Sequence, residues 1–175
     1  MGRKYMILIV VSLFLIAIDQ IAKIYVHANF ELGETITVIP GYFNFTYVRN
    51  IGAAFGIFTD SNETFRHIFF LSIPAIAVGI IVFFIYGLPE TERAQILALS
   101  AIAGGAVGNY IDRIQHGFVI DFLDFHIQNI YSWPVFNIAD SAIVIGVAVL
   151  TVLMIVEFWN ERKKATAGGQ KPAKS

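Results

Sequence analysis

Four apolar stretches, each about as long as a bilayer is thick, run through this sequence. A helix needs about 20 mostly apolar residues to cross the hydrocarbon core, and the stretches cover about 5–25, 68–87, 94–111 and 138–159. Only 14% of the 175 residues are charged, against about 25% in soluble domains. The pattern predicts an all-α membrane protein, in which one domain (1–164) carries four transmembrane helices and a disordered tail (165–175) follows.

Positive charges predict the orientation of these helices, because lysine and arginine concentrate in short cytoplasmic segments. Most of them precede the first helix, separate the second from the third or follow the fourth: Arg3, Lys4, Arg93, Arg162, Lys163, Lys164, Lys171 and Lys174. The remainder lie on the opposite side: Lys23, Arg49, Arg66 and Arg113. Both termini are therefore expected in the cytoplasm, with the segments of about 28–65 and 112–137 outside.

The segment after the first apolar stretch predicts a small extracytoplasmic β-sheet between helices 1 and 2. Residues 35–39 and 42–48 are rich in β-forming side chains, and Pro40–Gly41 between them is a turn signal. The β-rich region extends over about 35–58. Its last part, residues 51–58, is small and apolar, which suits an interfacial segment or a loop that faces a substrate.

Polar side chains that are costly in a membrane gather at one depth. With the predicted orientation, several carboxylates and amides lie near the outer ends of the helices or in the connection before helix 4: Asp19, Asn109, Asp112, Asp121, Asp124, Asn137 and Asp140. The next acidic residue within a predicted span is Glu157, at the cytoplasmic end of helix 4. Such clustering predicts a shared polar site near the outer membrane surface.

Several of these residues also have a simpler structural explanation. Asp140 begins a helix, where a carboxylate caps backbone N–H groups and is favoured by the helix dipole. Asp19 and Lys23, four residues apart, are spaced for a helical salt bridge. Asp112 and Arg113 are candidates for a structural ion pair.

The same holds for the remaining members of the cluster. Asp121 and Asp124 share one face if their segment is helical, and otherwise solvation alone explains them. Asn109 and Asn137 are candidates for hydrogen bonds that hold helices together.

Other chemistries find little support in the sequence. There is no cysteine, so disulfides and thiolate chemistry are excluded within this chain. The four histidines show no metal-ligand spacing, and no metal site is expected. The net charge of −1 makes nucleic acid an unexpected partner.

Five short motifs occur in order along the chain: Asp19-Gln20-x-x-Lys23, Arg49-Asn50-x-Gly52-Ala53-Ala54-Phe55, Gly108-Asn109-x-x-Asp112-Arg113, Gly117-x-Val119-x-Asp121-Phe122 and Phe136-Asn137-x-Ala139-Asp140-Ser141. Together with the four spans, they resemble the lipoprotein signal peptidases (signal peptidase II), which are aspartic peptidases of the bacterial inner membrane. The resemblance covers nearly the whole chain except the tail.

The resemblance implies that Asp121 and Asp140 form a catalytic dyad. It implies an endopeptidase that removes signal peptides from diacylglyceryl-modified prolipoproteins, cleaving just before the lipidated cysteine, with no metal or organic cofactor. Residues that support the site or the substrate would be Asp19, Lys23, Asn50, Gly52, Asn109, Asp112, Arg113 and Asn137. Asp124 lies outside the motif and receives no role.

The resemblance also implies a multi-pass protein of the bacterial cytoplasmic membrane with its active site near the outer face. Its partners would be the lipidated precursor and membrane lipid, and a monomer is expected.

Two alternatives from other functional classes remain open at this point. A small proton-coupled transporter would carry acidic residues through the membrane thickness, whereas these stop at one level. A non-enzymatic assembly factor would use its carboxylates only to hold helices together.

Overall fold

The computed structural model describes residues 2–52, 62–128 and 130–168. The elements follow in the order α1 (Arg3–Asn29), β1 (Thr35–Ile39), β2 (Phe43–Asn50), α2 (Glu63–Gly87), α3 (Arg93–His116), β3 (Val119–Ile127), β4 (Tyr131–Ser132) and α4 (Ile138–Gly168). Apart from Ile51 and Gly52, the small apolar segment predicted at 51–58 lies outside the described residues, and so does 169–175.

All four predicted spans are helices that are long and apolar enough to cross a membrane, so this prediction is confirmed. The helices extend past the predicted spans because polar residues at their ends continue the helical turn. At the C-terminus α4 runs to Gly168, so the helix includes the first four residues of the segment from 165 for which a disordered tail is predicted. Alanine, the best helix former, stands at 165 and 167 and favours this continuation.

Helix α3 is the central helix of the bundle, and half of the residues in its apolar span are buried. Glycines allow its neighbours to approach closely. A Cβ on Gly104 would lie 3.0 Å from the Cα atom of Ser12 in α1. A Cβ on Gly105 would overlap the carbonyl oxygen of Ala139 in α4. The backbones of α1, α3 and α4 are therefore in direct contact, which keeps their polar ends in register.

The sheet has four antiparallel strands in the order β1-β2-β3-β4. Strands β1 and β2 confirm the prediction, but β3 and β4 belong to the connection between α3 and α4. The prediction of a sheet confined to the segment between helices 1 and 2 was therefore incomplete. Asp121 and Asp124 lie in strand β3. They therefore do not share a helical face, which they would do only if this segment were a helix. The first four residues of β3 are all buried, which removes the alternation that marks a half-exposed strand.

One end of the bundle carries the sheet, and we call it the sheet end. It contains the last turns of α1 and α3 and the first turns of α2 and α4, because each adjoins a segment that leads into or out of the sheet. At the opposite end, the Lys4 ammonium donates to the carbonyl oxygens of Tyr86 (2.6 Å) and Leu88 (2.8 Å). Lys4 thus satisfies carbonyl groups that the end of α2 would leave without partners.

Packing joins the sheet to the helices through a small apolar core. Val26 of α1, Tyr47 of β2, and Ile120 and Phe122 of β3 form a buried cluster. The start of β3 is therefore anchored against α1, and Asp121 lies between two anchored residues.

Candidate active site

Asp121 is buried at the sheet end, with 1% of its surface exposed. Its Oδ1 accepts a hydrogen bond from Asn137 Nδ2 (2.6 Å), and its Oδ2 accepts one from Asn50 Nδ2 (2.9 Å). Burial, followed by the negative charge of Asp140, raises the pKa of Asp121 from 3.8 to about 7, although the two amide hydrogen bonds act to lower it. A carboxyl group with such a pKa can hold or release a proton near neutral pH.

Asp140 stands in the first turn of α4, as predicted. Its Oδ1 accepts from Asn109 Nδ2 (2.7 Å), and its Oδ2 accepts from the backbone N–H of Asn137 (3.3 Å). The Asp140 N–H in turn donates to Asn137 Oδ1 (2.8 Å). This is a reciprocal capping box, which satisfies two N–H groups at the helix start. The structural explanation for Asp140 is thus confirmed, and the same contacts hold its carboxylate in one orientation.

Asn137 is the link between the two carboxylates. It is completely buried, and its one side chain donates to Asp121 while it caps the helix turn that contains Asp140. Its Nδ2 also lies 3.1 Å from Asn109 Oδ1, the amide that holds Asp140 from the other side. Asp121 and Asp140, which lie on different elements, are therefore joined through Asn137 and through its contact with Asn109.

Lys23 is the centre of a second, deeper layer of the site. Its buried ammonium lies 2.8 Å from Asp19, 3.0 Å from Asp112 and 2.8 Å from Asn109 Oδ1. Three acceptors match the three donors of an ammonium group. The predicted salt bridge between Asp19 and Lys23 is confirmed. By accepting from Lys23, the Asn109 oxygen is directed into the bundle, which leaves its Nδ2 to face Asp140.

The ion pair predicted between Asp112 and Arg113 is wrong, because the carboxylate of Asp112 is paired with Lys23 across the helices. Consecutive residues on a helix do not face each other, so an adjacent pair is poorly placed for an ion pair. Arg113 instead donates to the backbone oxygen of Asn109 (3.3 Å) and lies 5.2 Å from the ring centroid of Phe70. Its charge acts on both Asp121 and Asp140.

Two carboxylates of this layer bind backbone groups of distant elements. Asp19 accepts from the N–H of Ala139 (2.8 Å), so a side chain of α1 caps the start of α4. Asp112 accepts from the N–H of Ile120 (3.0 Å), which attaches the start of β3 to α3. Gln20 also donates to Asp112 (2.8 Å). It belongs to the first motif, but the sequence reasoning assigned it no role.

Gly52 and Asn50 complete the contacts of Asp121. The N–H of Gly52 donates to Asn50 Oδ1 (3.1 Å), which turns the Asn50 amide nitrogen towards the carboxylate. Asp124 lies elsewhere, because it accepts from Asn44 (3.1 Å) and Thr46 (3.0 Å). All ten residues singled out as candidates from the sequence, from Asp19 to Asp140, thus lie in one connected polar region.

In the described residues, this region contains buried carboxylates, amides and one ammonium group, and no set of three or more side chains there or elsewhere is arranged to hold a metal ion. The arrangement can bind a water molecule or a peptide carbonyl between acid and amide groups, and it can exchange protons with them.

Known proteins are similar to this chain in both sequence and architecture. The sequence profile described as "Signal peptidase (SPase) II" matches residues 11–156. A lipoprotein signal peptidase of Syntrophus aciditrophicus is 43% identical over 155 residues, which are 89% of this chain and 96% of the relative. A lipoprotein signal peptidase of Geobacter sulfurreducens is 42% identical over 165 residues, covering 94% of this chain and 99% of the relative.

A solved structure, described as a bacterial membrane enzyme studied by the in meso method at 2.3 Å resolution, has the same fold. It superposes with a TM-score of 0.80 and 32% identity over 95% of this chain and 94% of that chain. Since profile, relatives and structure agree over almost the whole length, the chain belongs to the signal peptidase II family of membrane-embedded aspartic peptidases.

Proposed function

We propose that this protein removes signal peptides from diacylglyceryl-modified prolipoproteins, cleaving the bond just before the lipidated cysteine with water activated by Asp121 and Asp140. Relatives at about 43% identity are named lipoprotein signal peptidases. The observation that supports pairing Asp121 with Asp140 is the position of Asn137 between them. Its side chain binds Asp121 and caps the helix turn that holds Asp140.

The two carboxyl groups are suited to different tasks. Asp121 is the proton donor, because its pKa of about 7 keeps much of it protonated at neutral pH. Asp140 is the base, because the first turn of a helix and donors from Asn109 and Asn137 stabilise a negative charge there. Two neighbouring carboxyl groups in different environments divide the acid and base roles in this way.

The reaction then follows in two steps. The water oxygen bonds to the scissile carbonyl carbon, one water proton passes to Asp140, and the proton of Asp121 passes to the carbonyl oxygen. The tetrahedral intermediate collapses when its C–N bond breaks. The leaving nitrogen takes the proton from Asp140, and a hydroxyl proton of the intermediate returns to Asp121, which restores both groups.

The place of the site in the bundle suits such a substrate. The acidic residues of the site all lie at the sheet end, and this end faces outward in the orientation that positive charges predict. A signal peptide that spans the membrane presents its cleavage point at that surface. The diacylglyceryl group can then stay in the adjacent leaflet of the cytoplasmic membrane, while one copy of the protein acts on the peptide bond.

A purified-protein assay with a synthetic lipidated precursor tests this proposal. Asp121→Asn and Asp140→Asn should each reduce the cleavage rate by at least about 10²–10⁴-fold, the range of general acid–base catalysis. Asp124→Asn is the matched control, since it makes the same change on β3 outside the site. Normal cleavage by either dyad variant, or equal loss in all three, would refute the assignment.

The same assay separates the proposal from a transporter or an assembly factor. Neither of those predicts that a purified protein alone releases a signal peptide from the precursor. Cleavage should also survive a strong chelator, whereas loss of activity that zinc restores would require a different mechanism.

A further inference from the structure

A second cluster of polar residues lies at the sheet end, apart from the dyad. It comprises His27 near the end of α1, Arg49 in β2 and His116 at the end of α3, and we call it the basic cluster. The rings of His27 and His116 are 5.0 Å apart between centroids. The Arg49 guanidinium carbon lies 4.9 Å from the ring centroid of Phe118, which stacks on His116. Three nitrogen-bearing side chains thus meet around one aromatic ring.

The hydrogen bonds of Tyr47 determine which atoms of the basic cluster are free. Arg49 Nε donates to the Tyr47 hydroxyl (2.9 Å), which also shares a hydrogen bond with Nδ1 of His27. Nε2 of His27 and the four terminal N–H groups of Arg49 have no hydrogen-bond partner in the described part of the chain. The cluster therefore presents a surplus of donors.

No carboxylate in the ranges 2–52, 62–128 and 130–168 balances these donors. Among the described residues, none places a carboxylate oxygen within 4.0 Å of His27, Arg49 or His116. Asp112 is a carboxylate whose charge acts on His27, but its oxygens already accept from Lys23, Gln20 and the Ile120 N–H. Arginine terminal groups in a planar fork match a phosphate group, and such pairs are stronger than neutral hydrogen bonds.

The surroundings of the basic cluster indicate where an anion would come from. Arg49 and His116 are exposed, and they lie where two membrane-spanning helices end. Ile24, one turn below His27, is 64% exposed, and Ile114 next to this end of α3 is 60% exposed. In a bilayer crossed by these helices, such apolar side chains would face acyl chains, and the donors above them would lie at headgroup level.

We infer that the basic cluster binds the phosphate group of an anionic phospholipid, whose acyl chains lie against the exposed apolar residues of α1 and α3. The site depends only on the helices crossing a membrane, and not on their orientation or on the proposed peptidase mechanism.

Native mass spectrometry of the full-length protein in detergent, titrated with phosphatidylglycerol, tests this inference. Arg49→Gln and His116→Gln should each weaken the binding of one phosphatidylglycerol by about tenfold, the loss expected for a charge-assisted hydrogen bond. Arg93→Gln, the same type of change at the opposite end of the bundle, should leave that binding unchanged. Phosphatidylcholine, which has the phosphate but no net charge, should bind more weakly than phosphatidylglycerol.

A thermal unfolding curve like that of the wild type identifies the variants that are folded. If the Arg49 variant is unstable, the His116 variant decides the outcome, because His116 is exposed and its substitution is not expected to disturb the fold. Equal phosphatidylglycerol affinity in the folded His116 variant and the Arg93 control would overturn the inference. A parallel titration with inorganic phosphate distinguishes the two sources of this chemistry. Binding of inorganic phosphate as tight as that of phosphatidylglycerol would overturn the assignment to a lipid headgroup.

Discussion

Replacing Asp121 with asparagine should change how the stability of the fold depends on pH. The pKa of Asp121 is 3.8 in the unfolded chain and about 7 in the folded protein. Between these values the folded protein keeps a proton that the unfolded chain has released. The wild-type free energy of unfolding therefore falls as pH rises from about 4 to about 7, and it loses nothing more from this group above that range.

The expected magnitude follows from the size of the shift. A difference of about three pKa units, at 1.36 kcal/mol per unit, corresponds to about 4 kcal/mol. The asparagine variant does not titrate and escapes this loss. It gives up one of the two amide hydrogen bonds, because its own amide nitrogen cannot accept, and this costs about 1–3 kcal/mol at every pH. The variant should be less stable than the wild type near pH 4 and more stable near pH 9.

Thermal unfolding in detergent at several pH values measures this change. For a chain of this size, about 4 kcal/mol corresponds to a change of about 8–16 °C in the Tm difference between variant and wild type. Asp124→Asn provides the baseline for the same substitution on the other part of β3. A Tm difference that stays constant from pH 4 to pH 9 would refute the reasoning, because it would mean that burial does not perturb Asp121.

Three further predictions concern the surroundings of the dyad. Lys23→Met should lower stability by about 3–5 kcal/mol, because it leaves two buried carboxylates without their cation; a Tm within about 2 °C of the wild type would contradict this. Gly105→Ala should cost about 1–3 kcal/mol, since its Cβ would overlap a carbonyl oxygen of α4, whereas Gly79→Ala, with open space around it, should cost less in the same unfolding assay. Asn50→Ala removes a bond that lowers the pKa of Asp121, so the loss of cleavage activity at alkaline pH should move up by as much as about one pH unit. An unmoved pH–rate profile would count against the role of Asn50.

The spans and the first hairpin could be predicted because their signals are local. Apolar length alone marks the four helices, and Pro40–Gly41 marks the turn between β1 and β2. Strand β3 had no such signal, because its buried start lacks alternation and its partner β2 lies about 70 residues earlier in the chain, as the bond from Asn50 to Asp121 illustrates.

The residues that form the polar site were also predictable, whereas the hydrogen bonds and ion pairs between them were not. Topology placed the acidic and amide residues at one depth, and spacing indicated the salt bridge between Asp19 and Lys23. The pairing of Lys23 with Asp112 depends on how α1 and α3 are rotated against each other, which no local pattern encodes. The same applies to the bond from the Ala139 N–H to Asp19.

The bond between Asp19 and the Ala139 N–H also has a temporal consequence, since its two ends are 120 residues apart in the chain. A ribosome that adds about 5–20 residues per second needs about 6–24 s to pass from one to the other. Until the end of that interval the nascent chain has neither Asn137 nor Asp140. With the proposed dyad, it becomes a peptidase only after the start of α4 has been synthesised, and it does not attack polypeptides that pass beside it before then.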